Sequence, residues 1–339
     1  MRGIFLVIIL IFSIGFFSCK KENSSTFVID STLQVNDTTW TNTQSIKSLA
    51  NAVATDFGNP ILIDTISLNN QGFDESKQIF NSNKYRIDIS PEGLINPNNY
   101  KHITKGIITI KLQSSTSKGE IIKNFNTSFL NNQPNISFGY YSLSIYYKDT
   151  LLIIDNDHPV HLYVQDSSAT INTLKNCIVY KGSSSNLTDD NFKWNIDTFS
   201  TLSLSCVTQQ GPPTKPWGFE FPVFSSKWLT LASPENVPPS LNKFSTYLPA
   251  NYTNKNTVIY AVQKNNRDVA RLLPDYNSRT FSLNSLPYSQ GVNLISISKI
   301  DNQYYLGTSI VNYNPQQTIF KLIPQKISLQ NLISYLNTL

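Results

Sequence analysis

The stretch Tyr140-Tyr141-Ser142-Leu143-Ser144-Ile145-Tyr146-Tyr147 constrains the fold of this chain most tightly. In an extended chain it sends Tyr141, Leu143, Ile145 and Tyr147 to one face and Ser142 and Ser144 to the other. A helix would scatter both sets, so the pattern predicts a half-buried strand. The same period of two recurs over residues 105–114, 158–166 and 291–311. In the last of these, Asp301-Asn302 separates two strand runs, and both residues tolerate positive φ, which predicts a two-residue hairpin turn. Helical spacing is confined to two segments. Residues 45–58 place Ile46, Leu49, Ala50 and Val53 on one face, with Gly58 as a stop. Residues 328–339 offer Ser328 as N-cap, followed by Leu329, Leu332, Ile333 and Leu336 at i, i+3, i+4, i+7.

Many short strands separated by Asn, Gly, Pro and Asp turns point to sandwiches rather than βαβ units. The expected fold is all-β: tandem β-sandwich (Ig-like) domains with a short C-terminal α-helix. With 339 residues, two domains are expected. The turn-rich "GSSSNLTDDN" of residues 182–191 is the expected boundary. It leaves an N-terminal sandwich over 27–181, a C-terminal sandwich over 192–325 and the helix over 326–339. "QQGPPTKPWGFEFPVF", residues 209–224, reads as a long loop.

At the N-terminus, Arg2 precedes an apolar run from Ile4 to Phe17, broken only by Ser13 and Gly15. A membrane-spanning helix needs about 20 apolar residues, so this run is too short. It has the length of a signal-peptide core, with small Ser18 at the cut site. Ser18-Cys19 resembles the lipobox of bacterial lipoproteins, although Phe16 and Phe17 stand where Leu and a small residue are usual. Such a relaxed form, followed by Lys20-Lys21-Glu22, is similar to lipoproteins of Bacteroidetes. The resemblance implies removal of residues 1–18, acylation of Cys19, and a polar tether over 19–26. Two or more acyl chains anchor a protein stably where one does not. Lys20 after the cysteine implies the outer membrane, on its periplasmic face or at the cell surface.

Composition excludes some partners. A net charge of +5 with 14% charged residues, and no basic cluster interleaved with aromatics, leaves no footprint for nucleic acid. Beyond Cys19 only Cys177 and Cys206 remain, each in a strand-like run. A disulfide between them and two separate buried thiols are both open readings.

A second resemblance rests on two strand patterns. Ile87-Asp88-Ile89-Ser90-Pro91-Glu92-Gly93, followed by Gly106-Ile107-Ile108-Thr109-Ile110-Lys111-Leu112, resembles the β-sandwich module of ankyrins and netrin receptors. That module recurs in Bacteroidetes surface proteins, and Gly93 departs from its usual Ala. The hairpin over residues 292–311 resembles the closing hairpin of uncharacterised Bacteroidetes lipoproteins. What these resemblances imply is architecture, with no catalytic residues to carry over.

Chemistry is sparse. The histidines are His102, His158 and His161, and His158-Pro159-Val160-His161 sends its two rings to opposite faces of a strand. Asp155 and Asp157 could offer oxygens to calcium, but no zinc-type spacing is complete, so neither metal nor cofactor is expected. No G-x-S-x-G elbow and no phosphate-cradling loop is present. A thiol nucleophile at Cys177 or Cys206 would need exposure and a neighbouring base. The acids Asp189, Asp190 and Glu220 cannot be paired from linear sequence. Trp217, Phe219, Phe221 and Phe224 gather around Glu220, close to Trp228. These rings either stack on a sugar or peptide or plug the end of a sandwich. By resemblance, Asp64-Thr65-Ile66 and Asp149-Thr150-Leu151 match the O-glycosylation pattern of Bacteroidetes, as do two sites nearer the N-terminus.

The expected function is that of a membrane-anchored envelope lipoprotein with a binding or structural role and no catalytic activity. Its partners would be membrane lipid and a glycan or envelope protein. A glycan-binding accessory protein of polysaccharide uptake is the alternative, and an extracytoplasmic hydrolase a more distant one.

Overall fold

The computed structural model describes residues 39–42, 46–58, 61–68, 77–81, 84–90, 92–130, 133–188, 192–206, 217–234, 243–264, 267–284, 291–311 and 318–339. In chain order these form helix α1 (Lys47–Phe57) and strands β1 (Ile61–Leu68), β2 (Lys77–Asn81), β3 (Tyr85–Ile89), β4 (Leu94–Ile95) and β5 (Gly106–Ser115). Helix α2 (Lys118–Lys123) leads to β6 (Phe129–Leu130), β7 (Gln133–Tyr147), β8 (Thr150–Leu151), β9 (Ile153–Ile154) and β10 (Val160–Gln165). Helix α3 (Ile171–Asn176) precedes β11 (Ile178–Gly182), β12 (Trp194–Ile196), β13 (Ser203–Cys206), β14 (Trp217–Val223) and β15 (Trp228–Pro234). Then come β16 (Phe244–Tyr247), β17 (Thr257–Gln263), β18 (Val269–Asp275), β19 (Thr280–Leu283) and β20 (Val292–Ile300). The chain closes with β21 (Gln303–Val311), β22 (Ile319–Lys321), β23 (Gln325–Ile327) and helix α4 (Leu329–Asn337).

Period-two alternation becomes a sandwich because each strand has one apolar face to bury. One sheet runs β1-β5-β7-β15-β11-β12, and a second runs β13-β14-β10-β3-β2. Ile108, Ile110 and Leu112 of β5 and Tyr141, Leu143 and Ile145 of β7 face inward from the first sheet. Ile87 and Ile89, Leu162 and Val164, and Phe219 and Phe221 meet them from the second. At Leu231/Ala232 the pairing of β15 with β7 slips by a residue opposite Gly139, which holds φ 130°. Such a bulge is accommodated most easily where no side chain opposes positive φ.

The third sheet runs β22-β16-β19-β18-β17-β20-β21-β23. Residues from both ends of that path, among them Phe244, Phe320, Leu294 and Val311, share one apolar cluster, so the sheet curls around its own core. Its β20–β21 hairpin turns at Asp301, with φ 52°, where the sequence predicts the turn. Both faces of β20 are buried. Val292 and Leu294 point into the curled core, while Ile295 and Ile297 join a further cluster with α1, α2, α4 and the outer face of the first sheet. The two sandwich cores are thus joined through a helical layer. Hydrogen bonds reinforce that joint, with Ser128 N–H donating to Val269 O at 2.7 Å and the Arg271 guanidinium to Phe125 O at 3.0 Å.

Strand pairing corrects the expected boundaries. Gly182 ends β11 and pairs with Trp194 of β12. The expected boundary therefore falls inside one sheet rather than between domains; a hairpin tip uses the same Gly, Ser and Asn as a domain boundary. The first sandwich therefore draws strands from as far as Pro234, and the second begins at Phe244. Before β1, Trp40 packs on Phe281 with ring centroids 5.3 Å apart, and Thr41 N–H donates to Asn254 Oδ1 at 3.0 Å. These residues thus join the C-terminal sandwich, not the N-terminal one. The expected loop over 209–224 also changes, since residues 217–223 form β14. Helix α4 forms as predicted, with Asn331 N–H donating to Ser328 Oγ at 3.2 Å and Leu332 and Leu336 fully buried.

Candidate functional site

Strand alternation decides the fate of the aromatic segment. In β14 the odd positions point inward, so Phe219 and Phe221 lie wholly in the first sandwich core. They are packing residues, which corrects the reading of them as ligand-binding rings. The side chain of Trp217 lies outside the described residues. Phe224, beyond the end of β14, remains partly exposed and meets Phe199 edge-on at 6.3 Å. Trp228 is 5% exposed, too little for a stacking platform, and its residual surface lines a cavity.

The residues that alternate with these inward-facing ones build a polar outer face on the same sheet. Arg86 and Asp88 of β3, His161 and Tyr163 of β10, and Glu220 of β14 share it, because Tyr163 pairs with Arg86 on one side and Glu220 on the other. The Arg86 guanidinium donates to Asp88 Oδ2 at 3.1 Å and to Glu220 Oε2 at 2.8 Å, and lies 5.3 Å from the Tyr163 ring centre. His161 Nδ1 stands 3.6 Å from Glu220 Oε1. Burial pushes the Asp88 carboxyl above its ordinary range, opposed by Arg86 and reinforced by Glu220. One guanidinium thus holds both carboxylates, as expected of a structural clamp. The remaining histidines flank Asp155, with His102 and His158 nitrogens each 4.0 Å from its Oδ2. Among the described residues no group of three ligands could hold a metal ion.

Cys177 carries a free thiol, so the disulfide with Cys206 is not formed. Burial pushes that thiol up to about 12, which also removes it as a nucleophile. Of the earlier expectations, Cys19 with its acylation, Asp189 and Asp190 lie outside the described residues. Thr65 is exposed on β1 and Thr150 half-buried at the start of β8.

The cavity beside Trp228 holds about 420 Å³, within the range of about 300–1,000 Å³ typical of small-molecule sites. Its floor is a cross-strand row on the outer face of the first sheet. Ile61 pairs with Gln113, Gln113 with Ser142, and Ser142 with Trp228, so Ile61, Gln113 and Trp228 reach the cavity from three strands. Helix α1 supplies Asn51 and Thr55, one turn apart on the same face, and the β11–β12 turn supplies Asn186 and Thr188. Asn124 and Phe125, just past α2, close the wall.

The parts are firmly placed. Lys299 Nζ donates to Ala52 O at 2.6 Å and Asp56 Oδ2 at 2.8 Å, and Tyr304 Oη donates to the same carboxylate at 2.5 Å. These bonds, led by that from Lys299, hold the Asp56 carboxyl below its ordinary range and pin α1. Helix α2 ends in a Schellman turn, with Asn126 N–H donating to Ile121 O and Phe125 N–H to Ile122 O, each at 2.9 Å. The left-handed position is Phe125, φ 55°, where glycine is usual. A bulky residue there stores about 1–3 kcal/mol of strain, a pattern that clusters at functional sites. Gln113 Nε2 donates to Asn124 Oδ1 at 2.9 Å. Asn186 Oδ1 accepts from Thr188 N–H at 3.1 Å and Thr188 Oγ1 at 2.9 Å.

Sequence reasoning named Trp228 as a stacking ring and gave a binding role to none of the other residues that line the cavity. The cavity is assembled from six segments, three strands, two helix ends or faces and a turn, which no local pattern links. Comparison with family models, with characterised proteins and with solved structures returns no match to this chain.

Proposed function

We propose that this chain is a lipid-anchored envelope protein of the outer membrane that works by binding, with the Trp228 cavity as its binding site. The Ser18-Cys19 motif supports the anchor. The cavity is the observation that carries the binding role: it combines a suitable volume with walls fixed by hydrogen bonds, so little ordering is needed when a ligand enters. The clamp of Arg86 on Asp88 and Glu220 favours binding over hydrolysis, because both carboxylates are already engaged.

A thermal-shift screen of the full lipidated protein in detergent tests this reading. The library contains amino acids, nucleotides, short peptides and sugars, and Thr55→Trp fills the cavity from the exposed side of α1. At least one class should raise Tm in the wild type and not in Thr55→Trp. A screen with no such class would refute the cavity as the site. Separately, Cys19→Ala should release the protein from membranes, and recovery of unmodified Cys19 from the native envelope would refute the anchor.

A further inference from the structure

We infer that the Trp228 cavity selects an uncharged, hydroxyl-rich ligand, a sugar unit, and does so by hydrogen bonds from carboxamides rather than by ring stacking. This rests on the cavity being the binding site. Among the described residues none of its lining side chains is acidic, so none of them offers a counter-charge to an ammonium group of an amino acid or amine, whose burial unpaired is strongly unfavourable. Among the described lining residues the one basic group, Lys123, donates to Asn337 Oδ1 and is only 8% exposed, which leaves little of its ammonium for an anionic ligand to reach.

What the walls do offer is paired donors and acceptors. Gln113 gives one amide hydrogen to Asn124 and keeps its Oε1 and second hydrogen for a ligand. Asn186 spends its oxygen on Thr188, and its amide nitrogen is the group left to donate. Thr55 adds a hydroxyl on the exposed side of α1. A ligand hydroxyl both donates and accepts, so neighbouring hydroxyls on a sugar ring satisfy a carboxamide at both ends. The small exposed edge of Trp228 and the side chain of Ile61 meet the apolar C–H groups that such a ring also carries.

Calorimetric titration of the full lipidated protein with cellohexaose, mannohexaose and tri-galacturonate tests the assignment. At least one neutral oligosaccharide should bind, and tri-galacturonate should bind at least tenfold more weakly. Asn186→Asp retains the oxygen that orders the turn but removes the donating nitrogen, and should weaken neutral binding about tenfold, equivalent to about 1.4 kcal/mol. Thr55→Trp should abolish it. Preferential binding of tri-galacturonate would overturn the neutral-ligand assignment while leaving the cavity as the site. So would failure of all three sugars when another library class gives a Thr55→Trp-sensitive thermal shift. Sugar binding unchanged in both variants would place the sugar elsewhere and overturn the inference.

Discussion

Helices α2 and α4 cross at Gly119, and replacing this glycine by alanine should uncouple the C-terminal helix. A Cβ at position 119 would lie 1.8 Å from the carbonyl oxygen of Leu336 and 2.6 Å from its carbonyl carbon. Carbon atoms pack at about 3.5 Å or more, so α4 must retreat by about 1 Å. A gap of that size forfeits up to about half of the contact energy of the atoms facing it. The atoms concerned include the side chains of Leu332 and Leu336, both 0% exposed, each contributing about 1.5–3 kcal/mol through burial. Half of two such contributions is about 1.5–3 kcal/mol, in line with the usual cost of overpacking a core. Alanine is otherwise the better helix former, by up to about 1 kcal/mol, so the clash must outweigh a local gain. Urea denaturation of the full chain should therefore show Gly119→Ala destabilised by about 2 kcal/mol. In a Leu332→Ala/Leu336→Ala background, where α4 is already loosened, the same substitution should cost under 0.5 kcal/mol, roughly the limit of additivity for independent sites. An equal cost in both backgrounds would refute the close crossing as its cause.

The polar face of the second sheet makes two opposite predictions. Arg86→Met strips both carboxylates of their shared partner and should destabilise the protein by about 3–5 kcal/mol at neutral pH, read from urea midpoints; a loss below 1 kcal/mol would remove the clamp. Asp88→Asn should stabilise. The folded-state pKa of Asp88 is raised by burial, so the stability linked to its proton is present below the unfolded pKa and lost as pH rises through the folded value. Asparagine mimics the protonated form, and its advantage should appear at pH 7 and fade at pH 3; an advantage independent of pH would contradict this. Cys177, free and partly buried, should label slowly with maleimide in the native protein at pH 8 and rapidly in urea. A non-reducing peptide map that links it to Cys206 would contradict the structure.

The all-β class was legible because period two is a local property: Tyr141, Leu143 and Ile145 announce their common face within five residues. The hairpin at Asp301 and the cap at Ser328 were legible for the same reason, since turn and cap chemistry is carried by the residues that form them. The boundary was not, because "GSSSNLTDDN" reports only that the chain turns, and a hairpin tip and a linker turn with the same residues. Long-range pairing decides the rest. Arg86, His161 and Glu220 are far apart in the chain and meet only because β10 sits between β3 and β14. No local pattern carries that order. The aromatic segment shows the limit most sharply. Phe219 and Phe221 obey an alternation that was visible in the sequence, yet the prolines before them read as a loop, and a loop exposes what a strand buries. Had residues 217–223 been read as a strand, Glu220 would have fallen on the polar face and the two phenylalanines in the core. Trp228 is different, because only the long-range row with Ser142, Gln113 and Ile61 brings it to the cavity beside helix α1.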